Sequence, residues 1–245
     1  MSSTFSDLVE ERRVLHHTVF PEMQKLCEAH NCLFQAVDLR WGVSDHAALD
    51  QQTMNICLGE LRRCQTVSPR LNFLIILGDR YGWLPAPPQI DGAEFDALRA
   101  AIPSGELPLV LDWYRRDTNA VPSQYVLRPR RQDVPAEYDY DSWCAIERRL
   151  HMTLLRAVDL LRWPGGDPRR VKYGYSATHQ EILHGALAQP DPGHVLAFLR
   201  TIDNLEELPQ GSPYSDDSIS NARALKSTIR AHPGITSHDY AVSWA

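Results

Sequence analysis

Two largely apolar runs organise the first third of this chain. Residues 33–38 and 71–77 read as buried strands, because short continuous apolar stretches belong to sheets covered on both faces. Before the first run, Leu8, Leu15, Val19, Met23 and Leu26 recur at helical spacing to about residue 29. Asp7 with Glu10 resembles a helix-starting box, and Pro21 is expected to kink or divide the helix. Asp50 is placed to open a second helix, with Met54, Cys57, Leu58, Leu61 and Cys64 on one face.

The pattern changes at Pro85, Pro87 and Pro88. Residues 86–172 read as a large helical insertion within one α/β domain of residues 1–245. Its strongest element is a helix from about Tyr140 to Trp163, with Trp143, Ile146, Leu150, Leu154, Val158 and Leu161 in one stripe. Shorter elements are expected near Glu94 to Ala101 and Leu109 to Arg116. The α/β alternation then resumes. It predicts a helix from Thr178 to Ala188, a strand from His194 to Arg200 and a helix from Asp217 to Ala231. In the last of these, Ile219, Ala222, Lys226 and Ile229 fall at helical intervals. A strand from Asp239 to Trp244 closes the chain. Such alternation argues for a doubly wound parallel sheet.

The net charge of −6 over 245 residues does not favour a nucleic-acid partner. No apolar run approaches the ~20 residues of a membrane helix, and the start of the chain lacks the features of a signal peptide. The five cysteines show no Cys-x-x-Cys spacing, so neither a disulfide framework nor a zinc site is indicated. A reducing, cytoplasmic setting fits this usage.

Candidate chemistry gathers just past the two apolar runs. Val37-Asp38-Leu39-Arg40-Trp41-Gly42 and Leu77-Gly78-Asp79-Arg80-Tyr81-Gly82-Trp83 each follow a run with an arginine, an aromatic and a glycine. Ligands of parallel sheets bind at strand ends, so the two segments point to one crevice. Arg40 and Arg80 are suited to phosphate, or to salt bridges with Asp38, Asp79 or another acid. Trp41, Tyr81 and Trp83 are suited to stacking on a base, or to plugging the sheet edge.

These segments, with Ser2-Ser3-Thr4-Phe5-Ser6-Asp7, Glu10-Glu11-Arg12 and Cys57-Leu58-Gly59-Glu60, resemble the TIR-related N-terminal domain of NACHT and WD-repeat proteins. The same domain type occurs in the telomerase-associated vault component. Tyr114 to Pro122 and Tyr125-Val126-Leu127 are similar to the NACHT and WD-repeat members in particular. The resemblance implies a TIR- or flavodoxin-like sheet with a central first strand. Met1 stands where that strand should end, so the strand is expected to be truncated or missing.

The resemblance also implies two functions. One is a cytosolic interaction and assembly module of a signalling scaffold, acting through protein partners or self-association. The other is a hydrolase with NAD as its substrate and no bound cofactor. There Glu181 would stabilise the sugar cation as nicotinamide departs, above a crevice of Ser2, Ser3, Asp7, Arg40, Trp41, Gly42, Arg80, Tyr81 and Gly82. The plainer reading of Glu181 is a capping box with Thr178, and that of Asp7 is a cap on the first helix.

Overall fold

The computed structural model describes residues 1–38, 49–68, 71–164, 167–189 and 195–244. Its strands in chain order are β1 (Ser2–Ser3), β2 (Phe73–Leu77), β3 (Gln89–Asp91), β4 (Tyr114–Asp117), β5 (Gln124–Leu127), β6 (Val195–Ile202) and β7 (Ile235–Val242). The chain divides into two compact units. The first takes Met1–Gly42, Gly59–Gly82 and Glu181–Ala245, and the second takes Val43–Leu58 and Trp83–Gln180.

The first unit is built on a parallel sheet of order β1-β2-β6-β7. Ile75, Ile76 and Leu77 of β2 are buried, as are Ala197 and Leu199 of β6, which is why these runs carry little polar alternation. Neighbouring residues of one strand point to opposite faces, and here they meet different helices. In β7, Asp239 pairs with Arg230 of the Ile219–Ala231 helix, while Tyr240 donates to Glu11 of the Val9–Val14 helix. In β1, Ser2 donates to Glu181 of the Ala177–Ile182 helix, while Ser3 accepts from Arg12 of the first helix. Helices therefore flank both faces, and the fold is a doubly wound α/β sheet. Close approach matters at Gly185, where an added Cβ would lie 2.6 Å from the Phe73 ring.

β1 holds two residues, with Ser2 opposite Ile75 and Ser3 opposite Ile76. This limits what lies beside it. Residues 33–38, expected as a strand, are irregular, and Leu33 is 94% exposed. A strand needs a ladder of backbone partners. At this edge, among the described residues, the Met1 ammonium donates to the Val37 carbonyl at 3.0 Å. The last strand is also shifted, running Ile235–Val242 rather than from Asp239.

The first helical run is continuous but not uniform. An α-helical segment, Val9–Val14, passes into a π segment, Leu15–Val19, and then into the Phe20–Ala29 helix. Pro21 sits in the first turn of that last helix, where its missing N–H is tolerated, and the wider turn before it absorbs the mismatch. Asp7 does not cap this run: the cap position is Leu8, and it has no side-chain cap bond.

The second unit carries more than helices. A three-stranded antiparallel sheet, β3-β5-β4, lies within the segment expected to be helical. Its strands are three or four residues long, too short for a period-2 pattern to stand out. The expected long helix runs Tyr140–Leu160, capped by Asp139, which accepts from Ser142 N–H at 2.9 Å. Trp143, Leu150, Leu154 and Val158 of its stripe are buried, and Ile146 and Leu161 are partly buried against the same core. That core includes Phe95, Leu98, Trp113, Tyr114 and Leu127, with the Trp113 and Trp143 rings 4.8 Å apart. Arg128 closes it by lying over Trp113 and pairing with Glu137, whose carboxyl it holds far below the usual range.

Candidate functional site

The candidate site lies in the first unit, where β1, β2 and β6 end. Three polar clusters meet those strands. The first joins β1 to its two flanking helices. Ser2 Oγ lies 2.5 Å from Glu181 Oε2. On the other face, Arg12 donates from Nε to Ser3 Oγ at 2.9 Å. Its Nη1 lies 2.5 Å from both oxygens of Asp38, and His16 Nε2 lies 2.9 Å from Asp38 Oδ2. Arg12 and Asp38 are both buried, so each depends on the other for compensation.

The second cluster surrounds Asp7 past the end of β1. Arg200 of β6 places Nη2 3.4 Å from Asp7 Oδ2 and Nη1 2.7 Å from Glu11 Oε1. Asp7 is 1% exposed, and burial pushes its carboxyl up to about 6. Thr4 is near enough to favour the ionised form. Even so, neither Thr4 Oγ1 nor Asp7 Oδ1 completes a well-formed hydrogen bond among the described residues, and neither does Arg200 Nε. Gly78 follows β2 here, and a Cβ on it would run into Asp7 Oδ2 and Arg200 Nη2. Only glycine leaves room for this pair beside the strand end.

The third cluster fixes the Gly78–Gly82 loop. Asp79 accepts from Lys226 Nζ at 3.0 Å and from Ile202 N–H at 3.0 Å. Lys226 also donates to the Arg200 carbonyl. Asp216 accepts from the N–H groups of Tyr81 at 3.1 Å and Gly82 at 2.9 Å. Arg80 Nε is 4.0 Å from Asp216, and its Nη1 donates to the Pro213 carbonyl at 3.3 Å. Gly82 has φ +93°, a left-handed conformation that favours glycine.

Of the residues singled out in the sequence, Ser2, Ser3, Asp7, Arg80, Tyr81, Gly82 and Glu181 all fall within this first unit. Arg40, Trp41 and Gly42 lie outside the described residues. Tyr81 is buried, at 4% exposure. Trp83, in the second unit, donates its indole N–H to Glu147. Glu181 is half-buried and accepts from the Ser2 hydroxyl. The helix starts at Ala177, so Ser176 holds the cap position, and its Oγ accepts from His179 N–H at 3.2 Å.

Sequence reasoning missed the roles of Arg12, Arg200, Asp216 and Lys226. One signal was available: Lys226 sits on the apolar stripe of its helix, and a buried lysine requires a partner. No group of three or more His, Cys, Asp or Glu among the described residues could hold a metal. Among the same residues, no helix is long and apolar enough to cross a membrane.

Fold and contacts together define a doubly wound parallel α/β domain whose strand ends carry internal ion pairs. Residues 1–107 match a domain of unknown function, DUF4062. The chain is 44% identical over 121 residues to the mouse NACHT domain- and WD repeat-containing protein 1, covering 49% of this chain and 8% of that protein. It is 27% identical over 247 residues to the mouse NACHT and WD repeat domain-containing protein 2, covering 92% of this chain and 14% of the relative. The mouse telomerase protein component 1 is 36% identical over 85 residues, covering 35% of this chain and 3% of that protein. The chain thus spans 14% or less of the length of these relatives. No solved structure matches it. The similarity supports a domain of the kind carried by NACHT and WD repeat proteins.

Proposed function

We propose that this domain is the N-terminal interaction and assembly module of a cytosolic NACHT and WD-repeat type scaffold. One observation carries the reading: among the described residues, the buried cations at the strand ends are each paired with a carboxylate. Arg12 serves Asp38, Arg200 serves Asp7 and Glu11, and Lys226 serves Asp79. A phosphate that bound to any of these three buried cations would have to displace its partner, at a cost of several kcal/mol for each broken pair. Such a domain acts through its outer surface, and the names of its relatives, which join NACHT and WD repeat regions, agree with a scaffold role.

The second reading is a TIR-like NAD hydrolase. It is favoured by a half-buried carboxylate, Glu181, held against the first strand of a parallel sheet. One experiment separates the two. The purified chain is followed by sedimentation velocity over a concentration series, and each state is incubated with NAD while free nicotinamide is measured. The scaffold reading expects concentration-dependent association without nicotinamide release. Turnover by wild type that Glu181→Gln abolishes overturns it.

A further inference from the structure

The segment Tyr114-Arg115-Arg116-Asp117-Thr118-Asn119 plays no part in the candidate site, and it lies in the second unit. It has the chemistry of a kinase acceptor. Thr118 has arginines two and three residues before it, and no other serine or threonine of the chain has both. Kinases that select basic substrates read such arginines with carboxylates, through charge-assisted hydrogen bonds. We propose that Thr118 is a phosphorylation site for a kinase of this basophilic class.

The structure adds four supports that the motif alone lacks. First, β4 is an edge strand, because the sheet order is β3-β5-β4. Arg115 and Arg116 are thus already extended, the shape a substrate segment adopts along a cleft. Second, both arginines are exposed, and the Arg116 side chain has no ion-pair or hydrogen-bond partner among the described residues. The Arg115 side chain is held, among the described residues, by a 3.7 Å contact to the exposed Asp112. Third, Thr118 is exposed and lies one residue past the strand. Its backbone is free of the ladder that fixes Tyr114 through Asp117 against β5. Fourth, its hydroxyl makes no hydrogen bond among the described residues. The hydroxyls of Thr66, Ser227 and Thr228 instead bond to carbonyls of their own helices.

The step balances with ATP as donor. The bond from the γ-phosphorus to the bridging oxygen of ADP breaks, and the bond from Thr118 Oγ1 to that phosphorus forms. The hydroxyl proton passes to the catalytic carboxylate of the kinase. The product carries close to two negative charges beside two arginines, on an exposed hairpin end where an arginine-rich partner surface can read it.

The test incubates the full chain with ATP and the catalytic subunit of cyclic-AMP-dependent protein kinase, and locates phosphate by mass spectrometry. Wild type should gain one phosphate, at Thr118. Thr118→Ala should gain none there, and Thr118→Ser should regain it. Replacing Arg115 and Arg116 together by alanine should slow incorporation at least ~10-fold, the loss expected when two charge-assisted contacts go. Melting curves of all variants should overlay that of wild type, since the altered residues are exposed. Phosphate absent from wild type, or placed elsewhere and unaffected by Thr118→Ala, overturns the proposal.

Discussion

Ser2 and Glu181 lie 179 residues apart, yet the serine hydroxyl meets the glutamate carboxylate at 2.5 Å. This bond ties the shortest strand of the sheet to the helix that returns from the second unit's sequence. Ser2→Ala and Glu181→Gln should each cost about 1 kcal/mol, with a coupling energy of similar size between them. Urea unfolding of the two single variants and the double variant measures it. Additive effects would show that the contact carries no energy of its own.

The buried pair of Lys226 and Asp79 anchors the loop after β2. Lys226→Met leaves Asp79 buried with, among the described residues, the Ile202 N–H to satisfy it, and should destabilise the chain by about 3 kcal/mol. Adding Asp79→Leu should recover part of that loss, because no buried charge then remains unpaired. Denaturant midpoints of both variants give the answer. A double variant less stable than Lys226→Met would argue against this account.

Asp7 makes acid stability informative. Burial raises its carboxyl from 3.8 to about 6, so the folded chain keeps this proton where the unfolded chain has released it. The stability this contributes is fully present below about pH 4 and is lost as pH rises through about 6. The expected size is up to about 3 kcal/mol. Asp7→Asn should flatten that part of the stability curve, and chemical denaturation from pH 4 to pH 7 tests it.

His179 should act with the opposite sign. Its ring stacks on Tyr175 at 3.8 Å, and burial lowers its pKa from 6.5 to about 4. The unfolded chain takes up this proton first, so stability is present above about pH 6.5 and lost as pH falls through about 4. His179→Phe keeps the stack and should remove ~1–2 kcal/mol of that loss, allowing for partial exposure. Imidazole signals in proton NMR, followed against pH, locate the midpoint directly.

Leu154 reports on the second unit. It is fully buried in the Tyr140–Leu160 helix, and Leu154→Ala should cost 2–5 kcal/mol, the usual range for a buried leucine. A change below about 1 kcal/mol in thermal or urea unfolding would mean that this stripe does not form the core.

The sequence by itself determined the elements whose energy is local or periodic. The stripe from Trp143 to Leu161 needs a helix because only that geometry puts those residues on one face. The unbroken run ending at Leu77 needs a covered strand for the same kind of reason. Tertiary structure decided what each polar residue does. Asp7 and Glu181 both stand where a local cap is available, and both turn instead to partners distant in sequence. A capping bond at a helix end competes with water and gains little, whereas a charge drawn into the interior must find a partner there. Tertiary structure also decided the fate of residues 33–38. Their apolar pattern suits a strand, but strand pairing is a property of two segments, and the two-residue β1 provides almost no ladder to join.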